Sequence, residues 1–197
     1  LIDSVQVHNL AYQKAFKRYG YTVSLNTILK YHGLPGKVLV QKIKPHISQE
    51  ENKKIRMAHI QEILTKEYKK AKLLPGIKTA LSQLKKKYTL AITSNSTQEE
   101  IKMLMKGAYL KNTFDIILGI DQVQKGKPAP DLIQKANAKY HYKKIIMVGD
   151  TTYDVQAGKS AHAFTVGVLT GAHTKEQLKT KNPDVILKSV KELPQYI

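Results

Sequence analysis

The sequence contains no cysteine. That excludes disulfides and thiolate metal sites and is compatible with a reducing compartment, so a cytoplasmic protein is the expectation. Arginine is nearly absent: Arg18 and Arg56 are the only two among 33 basic residues. Readers of nucleic acid and clamps on phosphate lean on the planar fork of arginine. The net charge of +18 would suit a polyanion surface. Solvated lysine faces are the simpler account, because the lysine runs at 85–87, 53–54, 69–70 and 143–144 fall at helix ends or faces, or just before a strand. Nucleic acid is therefore not the expected partner, while attraction of small anionic substrates remains a reasonable consequence of the charge. No apolar run approaches the length of a membrane span, and none of the chain reads as a repeat or a low-complexity linker.

What is present divides into two textures. Residues 5–72 carry helical periodicity and no convincing strand. Val5 to Tyr19 places Leu10, Ala11, Ala15, Phe16 and Tyr19 at helical spacing after an Asp3-Ser4 cap. Further helices are expected at about 24–32, 37–45 and 49–71, with a turn at HGLPG, residues 32–36. From Leu74-Pro75-Gly76 onward, short apolar runs alternate with helical patterns. The runs are TLAIT (89–93), FDIIL (114–118), KIIMV (144–148), FTVGV (164–168) and DVIL (184–187). Helices are expected between them at about 76–87, 97–107, 129–140, 152–161 and 174–181, with a last one near 189–196. Apolar strands without alternation, separated by helices, predict a doubly wound parallel sheet covered on both faces. The expected organisation is a helical insertion over 5–72 and an α/β core formed by 1–4 plus 73–197.

Ligands of such sheets bind beyond the carboxyl ends of the strands. KIIMV runs into Gly149-Asp150-Thr151-Thr152-Tyr153-Asp154, with two carboxylates four residues apart across a strand-to-helix turn. Hard oxygen ligands there suit Mg²⁺. A helix cap at Asp150 and a first-turn acid at Asp154 would fit the same residues. TLAIT runs into Ser94-Asn95-Ser96-Thr97, a hydroxyl and backbone N–H groups that suit phosphate or simply start a helix. Lys125-Gly126-Lys127-Pro128-Ala129-Pro130-Asp131 fixes Lys127 just before a helix, where an ammonium could neutralise phosphate and a nearby carboxylate.

The order of these motifs, a strand ending in a hydroxyl, a KP-x-P-D helix start and a strand ending in GDxxxD, resembles the haloacid dehalogenase superfamily of Mg²⁺-dependent phosphatases and phosphomutases. The resemblance covers essentially the whole chain. Its nearest groups look like the phosphoglycolate phosphatases and beta-phosphoglucomutases, which carry a helical cap. By that resemblance Ser94 falls at the phosphate-binding Ser/Thr, with Asn95 beside it, Lys127 at the family lysine, Asp150 at the metal-binding acid and Asp154 at its supporting acid. His8, early in the first helix, falls where a substrate-side histidine can lie. His32 and Lys37 flank a turn that can project toward substrate. His8 equally suits a surface or hinge-packing role, and for His32 and Lys37 a plain interhelical turn is the simpler account.

The family's first motif is a strand ending in D-x-D-G-T, commonly followed by L-I-D-S. This sequence begins LIDS, and no D-x-D occurs in its 197 residues. The resemblance therefore implies that the nucleophilic Asp, the acid/base Asp and their strand precede Leu1, and that the 197 residues alone would be inactive. The implied reaction is hydrolysis of a small phosphate monoester through an aspartyl-phosphate. A sugar-phosphate mutase and a noncatalytic polyanion-binding remnant are the alternatives. A small phosphorylated metabolite is the implied partner, in a monomer or dimer.

Overall fold

Hydroxyl side chains cap five of the α-helices among the described residues. Ser24 accepts the Thr27 N–H at 3.1 Å and opens α2 (Leu25–Leu29), and Ser48 accepts the Glu51 N–H at 3.1 Å and opens α4 (Gln49–Thr65). Thr97 and Thr151 go further, each exchanging hydrogen bonds with an acid three residues on, and so open α6 (Gln98–Gly107) and α8 (Thr152–Ser160). Thr174 does the same with Gln177 at α9 (Lys175–Lys179). The first helix departs from the expected cap. In α1 (Val5–Arg18), Ser4 occupies the cap position without a side-chain hydrogen bond, and Asp3 is drawn into a strand instead. The computed structural model describes residues 1–138 and 140–197.

That strand, β1 (Ile2–Asp3), pairs antiparallel with β2 (Lys72–Leu73), so the two ends of the helical segment are tied together. The pairing explains why 72 ends the helical texture: the last helical turn, Glu67–Lys70, gives way to extended chain that returns to β1. Between these strands lie α1, α2, α3 (Gly36–Ile43) and α4. They enclose their own apolar cluster of Tyr12, Phe16, Ile28, Leu39, Val40 and Ile55.

The α/β part then runs α5 (Ile77–Lys85), β3 (Ala91–Thr93), α6, β4 (Ile116–Leu118), α7 (Asp131–Asn137), β5 (Ile146–Gly149), α8, β6 (Phe164–Val168), α9, β7 (Val185–Leu187) and α10 (Leu193–Tyr196). The expected helix at 129–140 is shorter, and its position 139 lies outside the described residues. All pairings in this part are parallel, as a doubly wound core requires. They form two pieces, β3 with β4 and β5-β6-β7, and β3 is not hydrogen-bonded to β5. The apolar cluster that both pieces share, with Ile77, Leu81, Ile101, Met105, Val166 and Val168 at its centre, leaves Ile92, Ile146 and Val148 only partly buried. A smaller cluster of Val7, Ala11, Ile63, Ala71 and Leu104 joins α1 and α4 to α6. No helix among the described residues is long and apolar enough to cross a membrane.

Candidate functional site

The carboxyl ends of β3 and β5 gather the charged groups. Lys127 is the one buried lysine among the described residues, 9% exposed. Its ammonium donates to the Thr93 carbonyl at the end of β3, at 2.9 Å, and to Asp154 Oδ1, at 2.5 Å. Lys127 therefore bridges the two halves of the sheet. A peptide carbonyl and a carboxylate satisfy two of its three donors, and the third is available to another anion.

Asp154 is spent on holding this arrangement. Oδ1 takes Lys127, and Oδ2 accepts the Thr151 N–H at 3.0 Å and the Thr151 hydroxyl at 2.7 Å. Burial alone would raise its carboxyl, but the Lys127 ammonium and the Thr151 donors outweigh it and hold Asp154 below the usual carboxylate range. Asp150 differs. No basic side chain among the described residues forms an ion pair with it. Burial and the neighbouring Asp154 charge push its carboxyl above the ordinary value, against the pull of Lys127. The helix cap is Thr151, so the expectation that Asp150 could itself be the cap gives way to a free carboxylate at the strand tip. A Cβ at Gly171 would overlap that carboxylate, so the backbone after β6 approaches as closely as glycine permits. A partly buried carboxylate in no ion pair among the described residues fits a hard divalent ion, with Asp154 supporting from behind.

Ser94 continues the β3 ladder, donating its N–H to the Leu118 carbonyl at 3.1 Å, while its hydroxyl accepts the Ser96 N–H at 3.1 Å. The hydroxyl hydrogen remains free to donate. Asn95 is engaged three ways. Its Oδ1 accepts the Lys127 N–H at 2.8 Å, and its Nδ2 donates to the Lys127 carbonyl at 2.9 Å and to the Gly33 carbonyl at 2.8 Å. Asn95 thus fixes the Lys127 backbone and fastens the 32–36 turn of the helical segment over the strand ends. A Cβ at Gly33 would stand 2.9 Å from Thr151 Cγ2, which shows how closely that turn lies on the β5–α8 loop.

His32, at the head of this turn, has Nδ1 3.2 Å from Asn9 Oδ1, and burial, reinforced by the nearby His173, pushes it down to about 4. His8 points its Nδ1 at His59 Nε2, 3.2 Å away, and is pushed down to about 3, chiefly by burial. The side chain of Lys37 is exposed, with its carbonyl accepting Asn52. The sequence reading passed over His173, whose Nδ1 accepts the Thr152 N–H at 3.0 Å and whose ring meets Tyr153. Its position one loop beyond β6 was the available signal: it too follows the carboxyl end of a parallel strand.

Known proteins share this arrangement of chain. A family model described as haloacid dehalogenase-like hydrolase matches residues 1–168. Probable phosphatase IndB of Dickeya dadantii is 36% identical over 124 residues, covering 61% of this chain and 54% of that protein. Pyrophosphatase PpaX of Listeria welshimeri is 33% identical over 108 residues, 54% of this chain and 50% of that protein. The chain thus spans about half the length of these two relatives. Against the PpaX of Oceanobacillus iheyensis the match is 27% identical but reaches 98% of this chain and 90% of the relative. Among solved structures, a haloacid dehalogenase-like hydrolase from Bacteroides fragilis superposes with a TM-score of 0.90 at 21% identity, covering 98% of this chain and 94% of that one. A hydrolase from Pseudomonas syringae gives 0.88 at 22% identity, with 100% and 92% covered. At such identities these structures speak for the fold alone.

Proposed function

This chain belongs to the haloacid dehalogenase-like hydrolases, and on that premise we propose that it is the greater part of a phosphatase for small phosphate monoesters. The observation that carries the reading is the convergence of Lys127, Asp154, Asp150 and Ser94 at the carboxyl ends of β3 and β5. The names of the relatives, a phosphatase and pyrophosphatases, agree with it.

Two carboxylates remain to be supplied, a nucleophile and an acid/base. In this proposal they sit at the tip of a strand that precedes Leu1 and lies between β3 and β5. Three features support that place. β3 and β5 are not paired with each other. Their apolar side chains Ile92, Ile146 and Val148 are only partly buried although they belong to the central cluster. Leu1, where that strand would join the chain, lies near Asp150. The nucleophilic carboxylate attacks phosphorus, the P–O bond to the alcohol breaks, and the second Asp gives the leaving oxygen a proton. The same Asp then takes a proton from water, which attacks the aspartyl-phosphate, releasing phosphate and restoring the carboxylate.

The residues of this chain prepare that step. Asp150 would hold Mg²⁺, which when bound neutralises phosphate charge. Lys127 offers its third donor to a phosphate oxygen from a fixed position, and Ser94 offers its hydroxyl. Asn95 keeps the Lys127 backbone still and, through Gly33, draws the helical segment over the site as a cap that sheds bulk water. The test is hydrolysis of p-nitrophenyl phosphate by the full-length protein with and without Mg²⁺. Turnover should require the ion and fall sharply in Asp150→Asn. Undiminished turnover in that variant, or in chelator, would remove the metal role.

A further inference from the structure

The seam where α1 and α4 meet α6 is apolar except for a group of polar side chains. His8 comes from α1, His59 from α4 and Glu100 from α6. His59 and Glu100 are 4% and 2% exposed. The two nitrogens of His59 face different neighbours: Nε2 lies 3.2 Å from His8 Nδ1, and Nδ1 lies 3.4 Å from Glu100 Oε1. The Tyr12 ring stacks on His59 with centroids 3.7 Å apart, which holds the imidazole plane.

Glu100 is only half satisfied. Oε2 accepts the Thr97 N–H at 2.7 Å and the Thr97 hydroxyl at 2.9 Å. Oε1 is buried, faces His59 and accepts no hydrogen bond. A buried carboxylate oxygen in that state is costly unless something positive or donating meets it. Burial lowers His59 and His8 below the ordinary histidine value and raises Glu100 above the ordinary carboxylate value, so all three are held away from water. The seam thus combines two imidazoles with a buried Glu100 oxygen that accepts no hydrogen bond.

We infer that His8, His59 and Glu100 form a binding site for a first-row transition cation of the zinc class, separate from the hard-ion position at Asp150. One ligand atom from each of the three lies within 4.8 Å of the other two. Bonds of about 2.0–2.2 Å to zinc separate ligand atoms by roughly 3.3–3.6 Å in a tetrahedron. The 3.4 Å between His59 Nδ1 and Glu100 Oε1 already has that length. Rotation of His8 away from His59 Nε2 brings in the third ligand, and water takes the fourth position. Imidazole with a single carboxylate favours zinc, cobalt or nickel over magnesium, which prefers oxygen ligands and keeps its waters. The ion would meet the Glu100 oxygen that accepts no hydrogen bond. Because the ligands come from α1, α4 and α6, the bound ion would tie the helical segment to the α/β part. This inference does not depend on the proposed reaction.

The experiment uses full-length protein stripped with chelator and dialysed against micromolar zinc in excess Mg²⁺, followed by metal analysis. Carrying Asp150→Asn throughout removes the other ion position. One zinc per chain should be retained, and zinc should raise the melting temperature. Glu100→Gln and His59→Asn should each weaken zinc binding by at least about tenfold. His8→Gln, at a less buried position, should do the same and serves if the other two fail to fold. Absence of retained zinc overturns the site. So does equal zinc affinity in any folded variant of the three, which would place the ion on other histidines.

Discussion

The helical segment and the sheet close their cores to different degrees. In the helical segment Phe16, Ile28 and Ile55 are each 0% exposed. At the centre of the α/β part, Ile92, Ile146 and Val148 remain only partly buried. Both regions use ordinary aliphatic and aromatic residues, so composition does not separate them. The difference lies in backbone chemistry. A helix satisfies its N–H and C=O groups within itself, and α1 to α4 need only bring their apolar faces together. A strand satisfies them on two neighbours, and β3 and β5 each have one. The helical segment is therefore self-sufficient, while β3 and β5 each leave one side unpaired at the place where the candidate site sits.

The strongest way to break this comparison is to hollow out the self-sufficient half. Phe16→Ala should cost about 3–5 kcal/mol, read as a lower denaturant midpoint. A loss under about 1 kcal/mol would mean that the helical core is loose after all. Next comes the site at the sheet's centre. Lys127→Ala in full-length protein should lower turnover at saturating substrate by about 10²–10³, or about 2.7–4 kcal/mol of barrier. Lys86→Ala, on an exposed helix end, should stay within about 0.5 kcal/mol of stability and leave turnover nearly unchanged. Because Lys127 is buried against Asp154, high salt should not rescue it. Equal losses in the two variants would return Lys127 to the general basic surface.

A smaller effect sharpens the comparison directly. In the 197-residue chain Ile92→Ala removes three partly buried carbons, which at about 0.8 kcal/mol per fully buried CH₂ amounts to about 1 kcal/mol. In protein extended upstream of Leu1 the same change should cost about 2–5 kcal/mol, the range for a fully buried site. Identical costs in both lengths would argue against a strand between β3 and β5. The smallest effect belongs to a purely local device. Ser48→Ala removes the α4 cap and should cost about 1 kcal/mol whichever length is tested, since the cap answers only to the Glu51 N–H.

Local features were the legible ones. The apolar runs at 89–93, 114–118, 144–148, 164–168 and 184–187 became β3 to β7, trimmed or shifted by one or two residues at their ends. The Ser94-Asn95-Ser96-Thr97 stretch was legible as a helix start, and Thr97 is the residue that caps α6. Asp3-Ser4 misled as a cap because pairing with Lys72–Leu73, some seventy residues away, outbid local capping for Asp3. Polar residues at strand ends were visible as motifs, but their division of labour was not. GDxxxD shows two acids; it does not show that one is consumed by Lys127 and Thr151 while the other stays free.

By itself, then, the sequence determined the periodicities, the alternation of strand and helix and the motif order that identifies the family. Each of these rests on contacts a few residues long, or on spacing along one strand-to-helix turn. Only the tertiary structure decided that Asn95 fastens both Lys127 and Gly33, that His173 reaches Thr152, and that Glu100 faces His59 with one oxygen unmatched. Those partners lie 21 to 62 residues apart along the chain. No local propensity encodes such meetings, because they exist only once the helices and strands have packed and burial has made each unpaired polar atom costly.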